Sequence, residues 1–382
     1  MAAENNMKLN EDGSITIVMN EKAITFRVLE EAPENPETGV NYRITPEGLV
    51  GAFGAPVYGA ARKGTENKVA VVFCGGGVAY DDYMAARPFS LNDRVPENGY
   101  YSDEAGLMTD IIMNVGLLKK CPENPLQDWT VIWIPYTTGD FHTGTADVRV
   151  TDIDGNERDV HFHGWINTKA IIERTKAVFG LQPDELLVTG FSAGGFATAL
   201  LTDSLIDLFP TIRKCWCMPD SALMVVPDNQ KIARDYWKAP EKVWRGMTGE
   251  GFVLPSLLNL KKNRGDLVQL LYICSKRDAA LCTFTDDIGN HRNHSATKEN
   301  ADRFEQMLYE FVEKLRAAVP DVSVFLFDNP DHGYPVVNPE EAKVTEHTII
   351  VTSGFYSTCA EGKTVSEWLA DTLAGKPAVL GL

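Results

Sequence analysis

The sequence predicts an α/β fold, a mostly parallel central sheet with helices on both faces, and three observations carry that prediction. Short, unbroken apolar runs recur at 68–73, 130–134, 185–189, 214–218, 268–274 and 322–327. Runs of this length without polar alternation suit strands buried on both faces. Helical patterns lie between several of them. Residues 167–179 carry apolar side chains at 170, 171, 172, 177 and 178, and 302–318 space Phe304, Met307, Leu308, Phe311, Val312 and Leu315 three and four apart. Finally, 382 residues, 44% of them hydrophobic, can bury a large core. Strands alternating with helices give a sheet covered on both sides.

Residues 7–30 alternate around Asp12-Gly13 and Asn20-Glu21 and predict a small β-meander. Residues 31–66, rich in Pro, Gly and Glu, predict a connecting segment. The chain therefore divides into a β-hairpin extension with its connector at 1–66 and the main α/β domain at 67–382. Within the latter, 149–163 predict a β-hairpin above the sheet, turning at Asp154-Gly155-Asn156. Asp152 and Asp154 have a calcium-like spacing, but the glycine is misplaced for a calcium loop, and no metal is expected.

Composition narrows the function classes. Lys and Arg number 36 against 53 Asp and Glu, a formal charge of −17, and no basic run occurs. Nucleic acid is excluded as a partner on that ground. No apolar stretch approaches the ~18 residues that span a bilayer. Residues 1–6 lack the basic start and apolar core of a signal peptide. The seven cysteines (74, 121, 215, 217, 274, 282 and 359) are odd in number and scattered, which favours reduced thiols. A cytoplasmic location is expected, a secreted one being the alternative if a leader has been removed. Cys215-Trp216-Cys217 has no partner pair with which to hold zinc.

The chemistry centres on Gly190-Phe191-Ser192-Ala193-Gly194, between the apolar run 185–189 and the helix-like 196–201. G-x-S-x-G in a strand–turn–helix context is a nucleophile elbow, with Ser192 at its tip. Ligands of open α/β sheets bind at the carboxyl ends of strands, so functional residues are expected at the strand exits. The first core strand ends in Cys74-Gly75-Gly76-Gly77, which brings backbone N–H groups close to a substrate carbonyl. Gly76, Gly77 and Ala193 are the oxyanion-hole candidates. The strand 268–274 leads to Asp278, the acid expected from the order Ser…Asp…His. Asp220 competes but is expected to brace the site, and Asp286 and Asp287 are weaker candidates. The strand 322–327 leads to His332, on a loop with Gly333, the expected general base. Of the other histidines, 291 and 294 lie in a charged loop, 347 in a later segment, and 161 and 163 on one face of the hairpin, exposed or structural. The loop 135–144, with Asp140, Phe141 and His142, together with Tyr80, is expected to bind substrate.

Several of these segments together resemble the pectin acetylesterase/Notum family of α/β-hydrolases, with a look nearest its bacterial members. The matching pieces are Gly75-Gly76-Gly77, Asp128-Trp129-Thr130 leading to Ile134-Pro135-Tyr136-Thr137-Thr138-Gly139-Asp140-Phe141-His142-Thr143-Gly144, His163-Gly164-Trp165-Ile166-Asn167, and Val188–Gly195 around the elbow. The similarity runs over roughly residues 65–335, with Thr137 where the family usually has cysteine. It implies an α/β-hydrolase fold and serine-dependent removal of an acyl group, often acetyl, from a hydroxyl of a glycan or small molecule. It also implies that no cofactor is used, and Ser192, Asp278 and His332 fall where the family's triad lies. The alternatives are a lipid or thioester deacylase and a catalytically silent binding protein of the same fold.

Overall fold

The computed structural model describes residues 7–11, 13–19, 22–89, 99–105, 108–152, 154–249, 251–284, 291, 295–330 and 333–382. The central sheet has nine strands: β1 Asn41–Ile44, β2 Gly59–Arg62, β3 Lys68–Phe73, β4 Thr130–Ile134, β5 Glu185–Phe191, β6 Lys214–Asp220, β7 Val268–Ser275, β8 Ser323–Phe327 and β9 Val379–Leu380. Their spatial order is β9-β8-β7-β6-β5-β3-β4-β2-β1. Every pairing from β4 across to β9 is parallel, as the apolar runs predicted. Only the edge pairings β2 with β4 and β1 with β2 are antiparallel. After β3 the chain moves outward to β4 and then returns to place β5 on β3's other side. That reversal opens a crevice at the carboxyl ends of β3 and β5.

The strands β1 and β2 come from the segment read as a connector. Each has only four residues, too few to establish a period, and β2 is Gly-Ala-Ala-Arg. Its small residues are fully covered, and a Cβ on Gly59 would lie 2.5 Å from an Ile171 methyl, so packing against the helix above selects them. The predicted meander forms a separate three-stranded antiparallel sheet, Met7–Leu9, Ile15–Met19 and Lys22–Phe26.

Five principal helices cover the sheet: α1 Gly164–Phe179, α2 Ala193–Leu208, α3 Val253–Arg264, α4 Lys298–Ala318 and α5 Val365–Leu373. Helix α2 is buried from Ala193 to Ile206. It tolerates this because its residues are mainly small or apolar, and because Thr198 and Thr202 return their hydroxyls to the carbonyls of Gly194 (2.8 Å) and Thr198 (2.6 Å). Helix α4 is amphipathic, with Phe304, Leu308, Phe311, Val312 and Leu315 inward. Its first turn is capped by Thr297, whose hydroxyl accepts the Asn300 N–H. The hairpin above the sheet pairs Ala146–Thr151 with Glu157–Phe162. No helix among the described residues is long and apolar enough to cross a membrane. All seven cysteines are free, five of them buried.

Candidate active site

Ser192 stands between β5 and α2 with φ 54° and ψ −125°, a conformation that L-residues adopt only under constraint. The constraint is visible. Its N–H donates to the Asp220 carbonyl (2.9 Å), and its own carbonyl accepts the N–H groups of Gly195 (2.8 Å) and Phe196 (3.1 Å). A side chain at Gly194 would put its Cβ 2.1 Å from the Phe73 carbonyl oxygen, so the second elbow glycine is what lets α2 start against the end of β3. Among the described residues, five of the eleven non-glycine residues with positive φ lie in the loops around this serine: Phe141, His142, Ser192, Ser221 and Thr348. Strain concentrated at strand exits is the signature of a site held in place by its surroundings.

The glycine run lies beside the elbow. A Cβ on Gly75 would be 2.7 Å from the Ser192 Cβ. The next two residues are clamped through their neighbours: Ser102 N–H donates to the Gly76 carbonyl (2.8 Å) and Val78 N–H to the Tyr100 carbonyl (2.9 Å). Gly77, with φ 79°, has no room for a side chain, since its Cβ would be 1.9 Å from the Tyr100 oxygen. The N–H groups of Gly76 and Gly77 have no partner among the described residues. Neither does that of Ala193, the first residue of α2, which as an N-terminal helical amide has no i−4 carbonyl to reach.

Asp278 is fully buried just beyond β7. One carboxylate oxygen, Oδ1, accepts the N–H groups of Ala280 (3.0 Å) and Leu281 (2.9 Å). The other, Oδ2, is 2.8 Å from Nδ1 of His347, whose side chain is 9% exposed. The histidine that meets the predicted acid is thus His347, while His332 lies outside the described residues. Residues 345–350 are laced across the strand exits. Thr345 bridges to Asp278, its N–H donating to the Arg277 carbonyl and its carbonyl accepting Ala279 N–H, both at 2.9 Å. Thr348 N–H donates to Ser221 Oγ at 3.2 Å.

Asp220 joins the two halves. Its main chain holds Ser192, and its carboxylate Oδ2 accepts the N–H groups of Ile349 (2.8 Å) and Ile350 (3.0 Å). This is the bracing role expected of the acid on the strand next to the elbow. Burial pushes its carboxyl up to about 6, against the pull of those two amides, of the Ser221 hydroxyl and of nearby His347. The ionised form is therefore disfavoured in the fold. The stability that Asp220 contributes is full below an ordinary carboxylate value of ~3.9 and is lost as pH rises through about 6. Asp220→Asn keeps an acceptor for the two amides and removes the charge. We expect its Tm to exceed that of the parent chain at pH 7.5, by the equivalent of about 1–3 kcal/mol, with a smaller difference at pH 5. Thermal melts at both pH values check this; a variant equally destabilised at both would show that hydrogen-bond geometry dominates.

The loop expected to bind substrate acts as a bracket. Asp140 is fully buried, with Oδ1 accepting the Thr138 hydroxyl (2.7 Å) and Oδ2 the N–H groups of Gly144 (3.0 Å) and Gly164 (2.8 Å). Phe141 stacks on Phe196 of α2 at 4.4 Å. His142 is buried, and burial pushes its imidazole down to about 4. It is therefore neutral at physiological pH, and its Nε2–H donates to the Cys74 carbonyl (2.9 Å), steadying the residue before the glycine run. Tyr80 differs from these three. Its hydroxyl is buried and has no partner among the described residues.

Residues 104–247, which span this bracket, the elbow and Asp220, match the family model for pectinacetylesterase. The chain resembles the pectinacetylesterases, as its motifs indicated. Among solved structures of similar fold are two crystal forms of the Wnt deacylase Notum from Drosophila. Form II is 17% identical with a TM-score of 0.56, covering 91% of this chain and 96% of that one. Form I is 16% identical with a TM-score of 0.56, covering 90% and 95%. At these identities the likeness is one of fold, an α/β-hydrolase with a β-rich N-terminal region. The comparison with curated proteins gave no match.

Proposed function

We propose that this pectinacetylesterase-like chain is a serine ester hydrolase that removes a short acyl group, acetyl foremost, from a hydroxyl of a carbohydrate or similar molecule. The observation that carries the proposal is the Asp278–His347 pair, on the same strand exits as a strained serine at a helix N-terminus. Ser192 Oγ attacks the ester carbonyl, and His347 Nε2 accepts its proton. His347 Nδ1–H donates to Asp278, which fixes the tautomer and stabilises the imidazolium. The N–H groups of Gly76, Gly77 and Ala193 receive the oxyanion. Collapse releases the alcohol, which takes the proton from His347. Water, deprotonated by the same imidazole, then hydrolyses the acyl-serine.

One further feature supports a small acyl group: Phe141, Phe196, Trp237 and Phe252, all buried, pack together beside the first turn of α2. The test compares acetyl with octanoyl p-nitrophenyl esters and follows acetate release from acetylated glycans. Acetyl preference supports the proposal. Octanoyl preference would move the chain to long-acyl or protein-linked substrates, and no turnover of any ester would leave a binding protein.

A further inference from the structure

The hairpin Ala146–Thr151/Glu157–Phe162 has two distinct faces. Ala146, Val150, Val160 and Phe162 are buried against the core. The opposite face is a ladder of polar cross-strand pairs: Thr151 with Glu157, Arg149 with Asp159, and Asp147 with His161. His163, two residues beyond His161, continues the same face at the start of α1.

We propose that Asp147, His161 and His163 bind one zinc-class divalent transition-metal ion. His161 Nδ1 and His163 Nε2 lie 2.6 and 2.9 Å from the same Asp147 oxygen, Oδ1, and the three donor atoms are all within 4.8 Å of one another. An ion with bonds of about 2.0–2.1 Å to nitrogen and oxygen places tetrahedral donors about 3.3 Å apart. The two imidazole nitrogens need to draw back from the Asp147 oxygen by less than about 1 Å to admit it. Two imidazoles and one carboxylate favour zinc, cobalt or nickel over magnesium or calcium, which take all-oxygen sites. The fourth position faces solvent, because the Asp147 side chain is 65% exposed.

The framework is already ordered. His161 N–H donates to the Ala52 carbonyl (2.9 Å), and Gly164, after His163, is held by Asp140 (2.8 Å). The neighbouring cation cannot take the metal's place, since the Arg149 guanidinium is held on both oxygens of Asp159 (2.9 and 3.1 Å). None of the three residues belongs to the proposed hydrolytic machinery.

The test titrates the tag-free full chain with Co(II), followed by visible absorption, and with Zn(II), followed by calorimetry. One ion per chain is expected, with d–d bands and no thiolate charge-transfer band. His161→Gln/His163→Gln, and separately Asp147→Asn, should weaken binding by more than about 10-fold, the lower end of what even an outer-shell change costs. Unaltered ester hydrolysis and melting cooperativity show that the variants fold; Asp147→Asn, at an exposed position, keeps the test decisive if the double variant does not. Binding unchanged in the variants, a thiolate band, or no stoichiometric binding would overturn the proposal.

Discussion

Ser192→Ala is expected to lower ester hydrolysis by about 10⁴-fold or more while leaving the fold intact. The size follows from the chemistry: without Oγ there is no nucleophile, and the oxyanion donors can only assist water. Stability should hardly move, because alanine carries the same Cβ into the same positive-φ conformation. Ser192→Gly loses the same activity, but glycine occupies that conformation freely, and relief of about 1–3 kcal/mol of strain should raise Tm. Steady-state rates and thermal melts on the two variants check both halves. Substantial turnover by folded Ser192→Ala would remove serine catalysis from the account.

His347→Gln should cost nearly as much, about 10³–10⁴-fold in kcat, whereas His332→Gln should stay within a few-fold of the parent chain. Glutamine can still approach Asp278, but it cannot accept the serine proton. The same dependence gives kcat/KM an acid limb, since an imidazolium cannot act as base. If His332→Gln is inactive and His347→Gln is not, the base belongs to the loop after β8, as the sequence first indicated.

The pairing of His347 with Asp278 is where sequence reading stops. The elbow was legible because its residues are consecutive: Gly190, Ser192 and Gly194 follow an apolar strand and open a helix, although the contacts that demand the glycines include Phe73 at the end of β3. Asp278 was legible because it follows an unmistakable apolar strand by a few residues, and Asp220 was legible as a brace for the same reason. His347 follows no strand. It is delivered by hydrogen bonds from 345–350 to Arg277, Asp220 and Ser221, partners 68 to 130 residues away that no pattern links to it. The order Ser…Asp…His is met equally by 332 and 347, so chain order could not choose between them. Asp140 is a different case. A loop rich in hydroxyls and charge suggests a pocket lining, yet its carboxylate is spent on three donors that hold the loop together. The edge strands β1 and β2 were hidden because four-residue strands of small residues carry no periodicity.

The most direct test of the central claim is fluorophosphonate labelling read by intact mass and peptide mapping. The account predicts one adduct per chain, located on Ser192, formed rapidly by the parent chain and by His332→Gln, and formed slowly or not at all by His347→Gln and Asp278→Asn. An adduct on another residue, or equally fast labelling of His347→Gln, would contradict it.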